Sequence, residues 1–178
     1  NFLSIVSKRI LSLRKTFGLD VDNKILRRDA TEYMGTLLSA KQCDDFRNLI
    51  DRLIDDPNVK VWRDPEGADE RIYFADKVDS AFENLYKSQI IKDKLISYTG
   101  ARVPVGMLLA ARLSAKNNNL GSGGGWHRDS PFRTQFKALC YLNKVTSVGG
   151  PFQVIKGSHR MATLIKASVK SLLKFGVY

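Results

Sequence analysis

Residues 121–131 read GSGGGWHRDSP. Within them His127 and Asp129 stand two apart, and in an extended segment side chains two apart leave the same face. An imidazole nitrogen and a carboxylate oxygen on one face can reach a single metal ion. Together they are two members of the 2-His-1-carboxylate facial triad, which holds non-haem Fe(II) and leaves positions open for substrate chemistry. A His-x-Asp pair carries little by itself, because such a histidine is also found solvated or hydrogen-bonded in a core. Its setting adds weight: a Gly-rich lead, then Trp126, and a second Gly-Gly segment, GGPFQVIKGSHR at residues 149–160, that ends in another histidine.

The chain around this stretch has 178 residues, enough for one domain with a substantial core. Hydrophobic residues make up 43% and charged residues 26%, a balance that excludes global disorder. Lys and Arg outnumber Asp and Glu by 29 to 18, giving a formal charge of +11. That excess favours anionic partners, whether phosphate-bearing small molecules, a lipid surface or nucleic acid, without choosing among them. Cys43 and Cys140 belong to no C-x-x-C pair, so neither a disulfide framework nor a zinc ribbon is expected, only two half-buried thiols in a reducing compartment. No apolar run approaches the roughly 20 residues of a membrane span. The N-terminal residues lack the apolar stretch of a secretory signal, and a soluble, cytoplasmic protein is expected. Because the sequence begins with Asn, it is expected to be trimmed at that end.

Residues 2–17 place Leu3, Val6, Ile10 and Leu13 at helical spacing with Lys8, Arg9, Arg14 and Lys15 between them. Such a basic amphipathic helix either packs on its own domain or lies on an anionic membrane. Residues 18–28 read as an irregular connection, so residues 1–30 are set apart from a main domain at 31–178. Ser39 followed by Gln42 forms a capping box, opening a helix whose apolar positions Cys43, Phe46, Ile50, Leu53 and Ile54 run up to Asp56-Pro57. Short strands are expected at 59–62 and 71–74 around the turn segment DPEGAD, and helices at 78–86 and 89–98, the second closed by Gly100. After Gly100 the character becomes extended, with strand-type runs at 103–113, 136–142 and 150–155, the last entering a Lys156-Gly157 turn. Residues 162–175 return to helical spacing.

WHRDS followed by GGPFQVIKGSHR resembles the phytanoyl-CoA dioxygenase family of Fe(II)- and 2-oxoglutarate-dependent oxygenases, in which a W-H-x-D segment precedes a strand ending in N-G-x-L-x-V-I-P-G-S-H. LLSAKQCDDFRNLIDRL is similar to that family's early L-L-S-x-x-x-C helix, so the resemblance runs from about Thr31 to Arg160. It implies an α+β fold: a double-stranded β-helix, or jelly roll, with N-terminal helices packed on it. It also implies Fe(II) held by His127 and Asp129, 2-oxoglutarate as cosubstrate, and hydroxylation of an unactivated C–H bond coupled to release of succinate and carbon dioxide.

The sequence departs from the family pattern at two places. The family's third ligand is a second histidine on a late strand, followed by an Arg that pairs with the distal carboxylate of 2-oxoglutarate. The one other histidine here, His159, lies in the G-S-H turn, which the family does not use as a ligand. The expected reason is that the closing strands of the jelly roll are missing from these residues. A natural variant lacking the ligand, or His159 moving in as the third, are the alternatives. Arg133 and Lys137, four apart and on one face if extended, and Arg112 are candidates for a 2-oxoglutarate carboxylate; each also reads as a surface charge. The substrate expected is a small or conjugated organic molecule, compatible with a phosphate-bearing one such as a CoA thioester or a nucleotide-linked or lipid-linked sugar. Two rival readings remain: a non-catalytic basic module docking on nucleic acid or anionic membrane, and a metal-less relative of the oxygenases. Against the nucleic-acid reading, the Lys and Arg are dispersed and form no recognised motif.

Overall fold

The computed structural model describes residues 23–100, 106–117, 127, 135–149, 151–163 and 165–166. The amphipathic helix expected at 2–17 lies outside them. The chain divides into two compact units, Thr36–Pro151 and a smaller one combining Asn1–Gly35 with Phe152–Tyr178.

The larger unit is built on α2, Ala40–Asp55, whose start is set by the capping box foreseen from the sequence. Ser39 Oγ accepts from the Gln42 backbone N–H at 3.3 Å, and Gln42 Oε1 accepts from the Ser39 N–H at 2.9 Å. Two of the donors that every helix start leaves without a partner are thereby satisfied. At the other end Arg63 Nη2 donates to the Ile54 carbonyl at 2.8 Å, so a cation from a neighbouring strand closes the last turn.

Strands β1 (Trp62–Arg63), β2 (Asp69–Tyr73) and β3 (Leu109–Leu113) form an antiparallel sheet in the order β1-β2-β3. The β1–β2 connection is closed by Asp64, whose carboxylate accepts from the Asp69 N–H at 2.9 Å while its carbonyl accepts from the Gly67 N–H at 3.0 Å. Gly67 sits at φ +63°, a value a side chain resists. Ile72 pairs with Ala110 and Glu70 with Arg112 across β2 and β3, so each strand contributes one apolar and one charged residue to the same face. The apolar pair lies in a core with Ile50, Leu53 and Ile54 of α2, with Ala75, and with Phe82 of α3 (Ser80–Tyr86). Phe46 stacks on Phe82 with ring centroids 5.5 Å apart. Each fully buried Ile or Phe contributes roughly 1.5–3 kcal/mol relative to exposure.

A 3-10 turn, Ala75–Lys77, ties this core to the chain entering β3. The Ala75 N–H donates to the Leu108 carbonyl at 3.0 Å, and the buried Asp76 carboxylate accepts from the Leu108 N–H at 3.1 Å. Helix α3 begins at Asp79, whose side chain accepts from the Ala81 N–H, and α4 (Gln89–Thr99) ends at Gly100 in the left-handed conformation, as its position in the sequence suggested.

Four expectations are corrected. Residues 18–28 are not irregular throughout, because Lys24–Asp29 is a helix, α1. The strand expected at 59–62 begins only at Trp62. Residues 136–142 and 151–155 form no strand; in the first run the Leu142 carbonyl accepts instead from Arg47 Nη1 of α2 at 2.6 Å. Strand-type composition gives a strand only where a neighbouring edge supplies the ladder. The described residues therefore form an α+β arrangement with a three-stranded sheet.

In the smaller unit α1 is short and carries no side-chain cap at its start. Its last turn is held by the turn at 156–159. The Gly157 N–H donates to the Asp29 carbonyl at 2.8 Å, and Arg160 Nη2 donates to the Arg27 carbonyl at 3.2 Å. Gly157 has φ +72°, and a Cβ there would meet the Arg28 carbonyl oxygen at 3.4 Å, so the turn approaches the helix end through a glycine.

Candidate functional site

His127 is exposed, whereas Asp129 and Arg133 lie outside the described residues. The structure thus places one member of the predicted iron-binding pair. Among the described residues no group of three or more His, Cys, Asp or Glu side chains comes together to hold a metal ion. A single imidazole does not fit the three-ligand demand of non-haem Fe(II), so the described donors do not by themselves make an iron site.

His159 is engaged elsewhere. Its Nε2 lies 3.0 Å from the Arg27 carbonyl oxygen. A carbonyl only accepts, so Nε2 carries the proton and Nδ1 is the ring nitrogen that keeps a lone pair. The GSHR residues act here as the clasp on the end of α1, with Gly157, His159 and Arg160 all meeting its last carbonyls. Asp29, beside the clasp, is held below the usual carboxylate range first by the hydrogen bond from Arg28, with Lys156 and Arg160 adding in the same direction.

Arg112 is the best-defined of the candidate 2-oxoglutarate residues, and three of its donors are engaged inside the larger unit. Nε donates to Glu70 Oε2 at 2.8 Å, Nη1 to Asp51 Oδ1 at 3.0 Å, and Nη2 reaches Asp55 Oδ1 at 3.5 Å. Asp51 and Asp55 are one turn apart on α2, so they meet the guanidinium side by side. Arg63 completes the arrangement by donating to Glu70 Oε1 at 3.0 Å. The hydrogen bond from Arg112, then that from Arg63, pull the Glu70 carboxyl below its ordinary range against the opposing effect of burial. The Arg112 guanidinium is pushed well above its ordinary value, first by Glu70 and then by Asp51. Three carboxylates already hold the guanidinium, which places Arg112 in the joint between sheet and helix. Lys137 is exposed.

An open hollow of about 580 Å³ lies along α2, lined by Gln42, Asp45, Phe46, Leu49, Arg52 and Asp79 among others. It contains none of the predicted site residues, and two carboxylates in its wall oppose an anionic cosubstrate.

The sequence reading missed the Arg63–Glu70–Arg112 row and the role of the GSHR clasp. The first had a signal, since β-strand alternation puts Glu70 and Ile72 on one face. The second had none, because its partners lie 132 and 133 positions away.

The model of the phytanoyl-CoA dioxygenase family matches residues 32–169. The match covers more than half of the chain and includes both the WHRD segment and the GSHR turn, and the chain belongs to this family. The family is in general one of Fe(II)- and 2-oxoglutarate-dependent oxygenases. No curated protein matches the chain, and no solved structure does. No helix among the described residues is long and apolar enough to cross a membrane.

Proposed function

We propose that this protein is an Fe(II)- and 2-oxoglutarate-dependent dioxygenase that hydroxylates an unactivated C–H bond of a small or conjugated organic substrate. The observation that carries the reading is the family match over residues 32–169, which spans His127 and Asp129. In this reading the two residues are the iron-binding pair at the mouth of a jelly roll, and the protein's part is to hold the ion, exclude water and aim the substrate carbon. The bound iron and 2-oxoglutarate supply the oxidising chemistry. The net charge of +11 suits a phosphate-bearing substrate. Arg133 and Lys137 are the positions from which this chain offers a cation to a 2-oxoglutarate carboxylate.

The test is anaerobic addition of Fe(II) and 2-oxoglutarate to the purified protein. A weak visible charge-transfer band is expected for the chelate, with loss of iron affinity in His127→Ala and Asp129→Ala. Absence of the band together with unchanged iron affinity in both variants would sink the reading. Steeply salt-dependent binding to DNA or anionic vesicles without metal uptake would favour a basic docking module instead.

A further inference from the structure

The smaller unit leaves bulky apolar side chains in solvent beside a concentration of cations. Its described residues include Lys24, Arg27, Arg28, Lys156, Arg160 and Lys166, six cations against the two carboxylates of Asp29 and Glu32. Asp29 is already held, since Arg28 Nε donates to its Oδ1 at 2.7 Å. The clasp gathers these charges. His159 and Arg160 meet the Arg27 carbonyl, the Gly157 N–H meets that of Asp29, and Lys156 and Arg160 both act electrostatically on the Asp29 carboxylate.

Apolar residues are interleaved with the cations. Ile25 precedes Arg28 by three places on α1 and shares its side of the helix. Ile155 adjoins Lys156 where the turn begins, its carbonyl accepting from the Ser158 N–H at 3.1 Å. Met161 follows Arg160, and Met161 and Ile165 stand four apart where residues 161–163 and 165–166 are helical. These four side chains are 48–68% exposed. A single exposed apolar residue needs no explanation, but a group of them set among cations does.

We propose that the smaller unit docks on an anionic lipid surface, with its cations against lipid phosphates and Ile25, Ile155, Met161 and Ile165 entering the boundary between headgroups and acyl chains. Both components of interfacial binding are present, charge for attraction and apolar area for retention. A nucleic acid would use the cations alone, because a hydrated phosphate backbone gives Met161 and Ile165 nothing to bury against. A second copy of the chain would bring the same cations face to face. The surface uses neither His127 nor Asp129, so it goes beyond the oxygenase reading and stands or falls apart from it.

The experiment is co-sedimentation of the whole chain with vesicles of phosphatidylcholine alone and of phosphatidylcholine mixed with phosphatidylserine. Binding is expected to the mixed vesicles only, weakening as salt rises. Lys156→Glu combined with Lys166→Glu should weaken it about tenfold or more. Lys60→Glu combined with Lys144→Glu changes the net charge equally at exposed positions of the larger unit and should weaken it far less. Met161→Ser with Ile165→Ser should keep the salt-sensitive attraction and lose the binding that survives high salt. The side chains changed in the smaller unit take no part in the hydrogen bonds of the clasp, so α1 stays held in these variants. No binding, equal binding to both kinds of vesicle, or equal loss from the two charge-reversed pairs would overturn the proposal. So would loss of binding in Lys8→Gln, Arg9→Gln, Arg14→Gln and Lys15→Gln together while the Lys156 and Lys166 variant binds as the wild type does. An oligonucleotide bound more tightly than the vesicles and indifferent to Met161→Ser and Ile165→Ser, or dimers that those two changes dissolve, would equally overturn it.

Discussion

Arg112 on β3 and Glu70 on β2 face each other at one register position, with Nε 2.8 Å from Oε2, and Arg63 on β1 takes the next place in the same row. A carboxylate thus stands between two guanidinium groups across all three strands. A slip of β3 by one residue would set Arg112 opposite Asp69 or Arg71 and turn Ile72 off its apolar partner. Glu70→Gln should lower stability by about 1 kcal/mol, since opposed charge pairs on a sheet are worth roughly 0.2–1 kcal/mol each and partial exposure screens them. Urea titration checks this, and a double-mutant cycle with Arg112→Met should show that the two changes are not additive.

The same carboxylate sets a pH dependence. Its folded pKa lies below the ordinary value of 4.5. Its contribution is therefore fully present above about pH 4.5 and is lost as pH falls through the lower, folded value. Glu70→Gln cannot titrate, so its stability should decline less between pH 5 and pH 2 than that of the wild type. Parallel acid-side curves for the two proteins would contradict this.

Phe82 is 2% exposed and Ile72 0%, and both sit where α2, β2 and α3 meet. Phe82→Ala should cost about 3–5 kcal/mol and Ile72→Val about 0.5–1.5 kcal/mol. Chemical denaturation of the two variants measures the difference.

Ser39 closes the start of α2, and its removal strands the Gln42 N–H. Ser39→Ala should cost about 1 kcal/mol and Ser39→Asp should cost little, because Asp keeps the acceptor. Thermal melts of the three proteins distinguish a lost cap from a general surface change.

For the proposed activity, chelation of iron should abolish succinate formation from 2-oxoglutarate, and returned Fe(II) should restore it. His127→Ala should lower turnover more than about 100-fold, since even residues that merely orient metal ligands cost 10–100-fold. Arg112→Met, by contrast, should leave the KM for 2-oxoglutarate unchanged.

The elements legible in the sequence were those whose signal is local. Ser39 and Gln42 fixed the start of α2 within four residues, and Gly100 fixed the end of α4. What stayed hidden depended on distant partners. Lys24–Asp29 reads as a polar connection because its helix is secured from residues 157–160, and the strand-like composition of 136–142 says nothing of Arg47 waiting to take the Leu142 carbonyl. For the candidate site, His127 and Asp129 stand out in the sequence as a motif, while the environment of Arg112 was not readable there. Three carboxylates from two elements had to converge on it before its surface-like position became a structural joint.

The clasp of GSHR on α1 also orders events in time. Arg27 and Arg160 are 133 positions apart, and a chain leaves the ribosome at roughly 5–20 residues per second. The segment that becomes α1 therefore waits on the order of ten seconds, already synthesised, for the residues that will hold its last turn. A six-residue helix is too short to persist alone over that interval. Its formation is a late step, completed only when residues 157–160 arrive.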